Sequence, residues 1–215
     1  MTYNTIIEIW RCKITDMDSD FAFFFWGWPM RFDQLMDRLE NCPVIAAVRE
    51  PKFQAALVSP AEVLFCLETH LLTVRQRVTQ AHEAGKAIFI HMDLADGIGK
   101  DKEGLQYLAQ CGADGIISTR AQIIRTAKDL ELLTVQRFFA LDSQGMDSVQ
   151  EMLKNTNPHL MEIMPGVIPK AVSRFASGPI PVIAGGLIET KQEVTAALGS
   201  GALAVSTGKK DLWYE

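Results

Sequence analysis

Two segments near the end of the chain carry glycine, hydroxyl and lysine side chains in an order suited to holding an anion. They are IAGGLIE, at Ile183–Glu189, and AVSTGKK, at Ala204–Lys210. Gly185 and Gly186 have no side chain, so their backbone N–H groups can approach a phosphate closely. Ser206 and Thr207 add hydroxyl donors, and a helix N-terminus nearby favours negative charge. A tight turn that needs glycine for geometry alone is the competing reading of either segment. The occurrence of both, in this order, favours phosphate binding.

Further polar residues recur at the ends of apolar runs. HMDLADGIGKD, at His91–Asp101, supplies Asp93, a carboxylate able to accept hydrogen bonds from ligand hydroxyls. A structural tie to a nearby cation is its alternative role. His91 is a candidate ligand contact or a satisfied core imidazole. Lys100 could reach a phosphate or an RNA backbone. TVQRFFALDS, at Thr134–Ser143, places either Gln136 or Arg137 inward, because side chains alternate along a strand. A guanidinium in so apolar a strand needs a partner. Glu162, in MEIMPG, is the credible one, so Arg137 and Glu162 read equally as an internal pair or as ligand contacts. DGIISTR puts Ser118, Thr119 and Arg120 at a strand end. No nucleophile elbow, metal-ligand cluster or strand lysine suited to Schiff-base chemistry is present. The available acids and bases, His91, Asp93 and Glu162, would serve binding as well as catalysis.

The elements that must position these residues are legible as alternation. Apolar runs read as strands at Val44–Val48, Val63–Leu67, Ala87–Met92, Gly115–Ser118, Leu133–Phe138, Met161–Met164, Val182–Ala184 and Ala204–Ser206. Unbroken apolar runs suit strands buried on both faces of a parallel sheet. The segments between them repeat apolar residues at three and four, as in Val74, Val78 and Ala81, or Val194, Ala197 and Leu198. Thr190 with Glu193 forms a capping box. Eight such units predict an α/β fold, a single (βα)₈ barrel of the TIM type over residues 30–215. An open doubly wound sheet is the runner-up, but no glycine-rich turn follows Val48. In a barrel the ligand face is the one where strands end.

Composition sets the outer bounds. The chain has 215 residues, 48% of them hydrophobic and 22% charged, with a net charge of −5. This describes one ordinary globular domain and does not advertise nucleic-acid binding. The four cysteines, Cys12, Cys42, Cys66 and Cys111, show no metal-site spacing and read as reduced core thiols of a cytoplasmic protein. No apolar stretch reaches the length of a membrane span. Residues 1–29 break the pattern with the run FAFFFWGWP, preceded by Asp16, Asp18 and Asp20 where a signal peptide would carry positive charge. They read as a poorly ordered N-terminal extension, or as a start placed upstream of the true initiator at Met30.

Taken together, CPVIAAV, HMDLADGIGKD, DGIISTR, LLTVQRFFALDS, MEIMPGVIPK, IPVIAGGLIET and ALAVSTGKKDLW resemble the glycerol-3-phosphate-responsive antiterminator family, from Met30 to the C-terminus. The resemblance implies a non-enzymatic regulator without a cofactor. Its effector is glycerol 3-phosphate, and its target is the leader of glycerol-catabolic messenger RNA. It also implies that Gly185, Gly186, Ser206 and Thr207 hold the phosphate and that Asp93 holds a glycerol hydroxyl. Lys100, Arg120, Lys170, Lys209 and Lys210 follow strands on that face and would supply a local positive surface for RNA; scattered solvated lysines are the alternative. No membrane partner is expected, and a homo-oligomer is left open. The competing class is a phosphate-binding barrel enzyme acting on a glycerol phosphate or a similar three-carbon phosphate.

Overall fold

A computed structural model describes residues 30–140 and 143–214. The reading of residues 1–29 therefore lies outside the described residues. Helix α1, Phe32–Asn41, leads into strand β1, Val44–Val48. There follow α2 (Phe53–Leu57), β2 (Val63–Cys66), β3 (Thr69–His70), α3 (Val74–Glu83), β4 (Ala87–His91) and β5 (Ala95–Asp96). Then come α4 (Lys102–Gln110), β6 (Gly115–Ser118), α5 (Ala121–Asp129), β7 (Leu133–Phe139), α6 (Ser143–Thr156) and β8 (Leu160–Met164). The chain ends with α7 (Pro169–Ala176), β9 (Val182–Gly185), α8 (Lys191–Gly199), β10 (Ala204–Thr207) and a 3₁₀ turn at Lys210–Tyr214.

Eight strands close a parallel barrel in the order β1-β10-β9-β8-β7-β6-β4-β2. Closure is made by β1, which pairs Val44 with Val205 on one side and Val48 with Cys66 on the other. Each barrel strand begins and ends within two residues of the apolar run that predicts it. The additional pair, β3 with β5, is two residues long in each strand, too short to show a period.

Alternation along the strands splits the apolar residues into two clusters. Ile45, Phe65, Phe89, Ile117, Val135 and Ile183 fill the barrel, and Leu35 and Leu39 of α1 join them. Those two leucines lie four residues apart on one helical face and are fully buried, so α1 plugs the N-terminal end of the barrel. Ala46, Leu64, Ile88, Ile116, Ile163 and Ala184 point the other way, against the helices. Within the barrel, Gly115 makes room for Phe89, since a Cβ there would overlap the edge of the ring. Val135 and Arg137 face inward. Gln136 faces α6, where its Oε1 accepts a 2.6 Å bond from Thr156 Oγ1. The predicted capping box of α8 is present, with Thr190 Oγ1 accepting from the Glu193 N–H at 3.3 Å. Among the described residues Cys42, Cys66 and Cys111 are free thiols. No helix among them is long and apolar enough to cross a membrane.

Candidate functional site

The strand ends that carry the two glycine segments converge. Ser206 of β10 pairs in register with Gly185 of β9. Both turns open on one cavity of about 390 Å³ at the barrel mouth, lined by Gly186, Leu187, Ile188, Ser206, Thr207 and Gly208. The opposite wall is Arg49, Glu50 and Lys52, which follow β1, and the floor is Arg137 and Glu162. Lys52 reaches across the cavity, its Nζ donating to the Gly208 carbonyl at 2.7 Å. Arg49 pairs with Glu68, and Arg77 buttresses this wall through a 2.5 Å ion pair with Glu50. Three cations and two backbone turns thus face one hollow, a composition suited to a small anion.

On the floor, Glu162 is fully buried and both of its oxygens are held. Oε2 accepts from Arg137 Nε at 2.6 Å, and Oε1 accepts from Ser206 Oγ at 2.5 Å. Because β7 and β8 place Arg137 opposite Glu162 in register, the ion pair is set by the sheet itself. It satisfies two charges that burial would otherwise penalise. Of the readings left open for Arg137 and Glu162, the structure shows the internal pair, and the pair lines the cavity.

The same geometry revises the roles expected of the anion loop. Gly185 lacks a side chain for the sake of Glu162, since a Cβ there would lie 2.9 Å from Glu162 Cδ and 2.7 Å from Ser206 Oγ, with Oε1 closer still. The left-handed turn belongs instead to Gly186 and Leu187, at φ of 76° and 61°. A leucine in this region is strained by about 1–2 kcal/mol, and backbone strain of this kind gathers at ligand sites. The two hydroxyls are committed within the protein. Ser206 donates to Glu162, and Thr207 Oγ1 donates to the Ile188 carbonyl at 2.7 Å, tying the two loops together. What the cavity offers an anion is therefore backbone and cations more than hydroxyl groups.

Asp93 does not line this cavity. It follows β4 in a 3₁₀ turn and accepts from Ser118 Oγ at 2.8 Å and from the Thr119 N–H and hydroxyl at 2.8 and 2.9 Å, with Arg120 Nε at 3.5 Å. Burial works to raise its pKa, but the Thr119 N–H and the two hydroxyls outweigh it and hold the carboxyl below its ordinary value. Its carboxylate clamps the β4 loop to the β6 loop. His91 is buried on the inner face of β4, and its Nδ1 has no partner within the protein. Burial, and then the charge of Arg137, push it down to about 4, so it is neutral at physiological pH. Lys100 donates to the Ala95 carbonyl, and burial lowers its pKa. Arg120, Lys170 and Lys209 stand on the rim outside the cavity, Lys209 with Glu189 at 3.3 Å. Arg49 and Lys52 line the cavity, although residue type and spacing did not single them out. The signal was REPK directly after VIAAV, polar residues at a strand end like the others.

A larger hollow, of about 630 Å³, lies at the opposite end of the barrel among Arg38, His82, Lys86 and Asp114. Its cationic groups are engaged: Lys86 Nζ donates to the Ser59 and Ala61 carbonyls at 2.6 and 2.8 Å, Arg38 to Gly85 O at 2.7 Å, and His82 bonds Asp114 at 3.0 Å. Chemistry in such barrels sits at the strand C-termini, which again selects the mouth.

Fold and site define a (βα)₈ barrel with an anion-suited cavity at its mouth. The chain belongs to the glycerol-3-phosphate responsive antiterminator family, whose model matches residues 44–213. It is 36% identical to a glycerol uptake operon antiterminator regulatory protein from Listeria monocytogenes, with a TM-score of 0.76 over 80% of this chain and 95% of that one. A glycerol uptake operon antiterminator-related protein from Thermotoga maritima is 30% identical, with a TM-score of 0.72 over 79% and 96%. An uncharacterized Escherichia coli protein, YgcP, is 32% identical over 183 residues, 83% of this chain and 95% of that protein.

Proposed function

We propose that this protein is a cytoplasmic, glycerol-3-phosphate-responsive RNA-binding regulator that promotes transcription antitermination of glycerol-catabolic genes. The observation that carries the effector reading is the convergence of the β9 and β10 turns with Arg49, Lys52 and Arg137 around one mouth cavity. The phosphate lies against the backbone of residues 186–188 and 207–208, with Lys52 and Arg49 supplying charge. The glycerol hydroxyls point to the floor, toward Arg137, Glu162 and the neutral His91. Because the site joins loops from separate strands, a ligand bridging them orders the mouth. RNA that prefers the ordered mouth then raises effector affinity by the same factor that the effector raises its own.

An enzyme on this scaffold would need a free acid or base at the ligand. Both Glu162 oxygens are taken, and Lys86, the lysine directly before β4, sits at the far end of the barrel on backbone carbonyls. Among the described residues here, His91 alone is unpartnered, and with its pKa held down to about 4 it is a weak base suited to a hydrogen bond with a hydroxyl. Binding without turnover is the better account. Thermal-shift measurements test it: glycerol 3-phosphate raises the melting temperature, and glycerol or inorganic phosphate alone raises it less. Filter binding of leader RNA then rises with glycerol 3-phosphate. A melting temperature indifferent to glycerol 3-phosphate removes the effector claim, and equal RNA affinity with and without it removes the regulation.

A further inference from the structure

Phe139 stands 54% exposed at the end of its strand, while its neighbour Phe138 is buried. It is the last residue of β7, in register with Met164, and on the inward-facing alternation above Val135 and Arg137. Met164 itself lines the effector cavity, so the ring stands on the cavity's shoulder. It is not a stray apolar residue. Ile168, beyond β8, is 42% exposed, and Leu187, beyond β9, is 69% exposed. Three neighbouring barrel sectors, β7, β8 and β9, each leave a large apolar side chain in water at the ligand face. Cations alternate with them. Arg120 follows β6, Lys170 opens α7 after β8, and Lys209 follows β10. Lys209 and Glu189, at 3.3 Å, form an exposed pair, worth little in water and open to competition from a phosphate. Arg120 is itself exposed and lies 3.5 Å from Asp93, whose carboxylate is already held by Ser118 and Thr119, so its guanidinium can turn to a phosphate.

We propose that Phe139 is the stacking platform for an unpaired base of the bound RNA, with Lys170 and Arg120 on its two flanks taking the adjoining phosphates. An exposed aromatic ring between cations is the arrangement by which proteins hold single-stranded nucleic acid, where each base offers a face and each linkage a charge. A duplex, its bases stacked on one another, cannot use the ring. The position also gives a physical route for effector control. Met164 touches both the cavity and the Phe139 sector, so a ligand that fixes the cavity wall fixes the platform beside it. This rests on the regulator reading above and adds to it the surface and the form of RNA recognised.

The test uses the full chain and a labelled 5′ leader transcript of the host's glycerol-uptake operon, with a duplex of equal length as control. Phe139→Ala weakens leader binding about tenfold while the thermal shift with glycerol 3-phosphate is kept, and Phe139→Tyr restores affinity. Phe139→Trp retains binding and reports it by fluorescence quenching. Lys170→Ala lowers the slope of log affinity against log salt by about one. Wild-type affinity in Phe139→Ala overturns the proposal, as does preference for the duplex. Loss of the glycerol 3-phosphate shift in Phe139→Ala also overturns it, placing the ring in the effector site instead. If the wild type binds no leader under any condition, the regulator reading itself falls, an outcome distinct from a failure at Phe139 alone.

Discussion

Replacing Gly185 by alanine probes the mouth most directly, because the backbone there does not require glycine. Gly185 is not among the positive-φ residues, so alanine can adopt its conformation. What alanine meets is the carboxylate of Glu162. Its Cβ would sit 2.9 Å from Cδ, with Oε1 nearer, inside the 3.0 Å that real Cβ contacts essentially never breach. Ser206 Oγ, at 2.7 Å, blocks the other side. The carboxylate must retreat, and the 2.5 Å bond from Ser206 and the 2.6 Å bond from Arg137 cannot both survive. Loss of one charge-assisted bond in a buried site costs about 1.5–3 kcal/mol. For a chain of this size that lowers the melting temperature by roughly 3–12 °C. The assay is urea unfolding of Gly185→Ala alone and in a Glu162→Ala background. Once the carboxylate is gone, the Ser206 hydroxyl loses the bond that holds it against the added methyl group and can rotate away. The second measurement should then show less than about 0.5 kcal/mol, a coupling characteristic of residues in contact. Equal costs in the two backgrounds, or no cost in either, would refute the claim that Gly185 exists to seat Glu162.

Two further outcomes follow from the same geometry. His91 is held near 4 in the folded chain against 6.5 when released, so between those pH values the unfolded chain binds a proton that the folded chain refuses. Stability therefore falls as pH drops through this window, by about 3 kcal/mol, and the contribution is flat below it. Urea unfolding of wild type and His91→Phe across this range checks the sign, since parallel curves would show that His91 does not titrate this way. Lys52→Ala removes a cation and the tie to Gly208, and weakens glycerol 3-phosphate by about tenfold, or 1.4 kcal/mol, in calorimetry. Unchanged affinity would move the phosphate away from the β1 side of the mouth.

The barrel itself was legible in the order of residues. Runs such as VIAAV and AIFIH are apolar throughout because parallel strands are buried on both faces, and this local property needs no knowledge of neighbours. The capping box at Thr190 and the two glycine turns are equally local, since each depends on residues within one turn of backbone. What the order of residues did not contain was the division of labour among side chains that meet across strands. Whether Gln136 or Arg137 faces the axis is a matter of phase, decided only when the barrel closes. That Glu162 of β8 lies beneath Gly185, and that the β6 loop brings two hydroxyls and an amide to the Asp93 carboxylate, follows only from the assembled strands. Lys52 and Gly208 are separated by 156 residues, and the parallel pairing of β1 with β10 makes them neighbours. Hydrophobic periodicity is written along the chain, but contacts between distant polar groups exist only after strand order and register have been settled, and the site is made of those contacts.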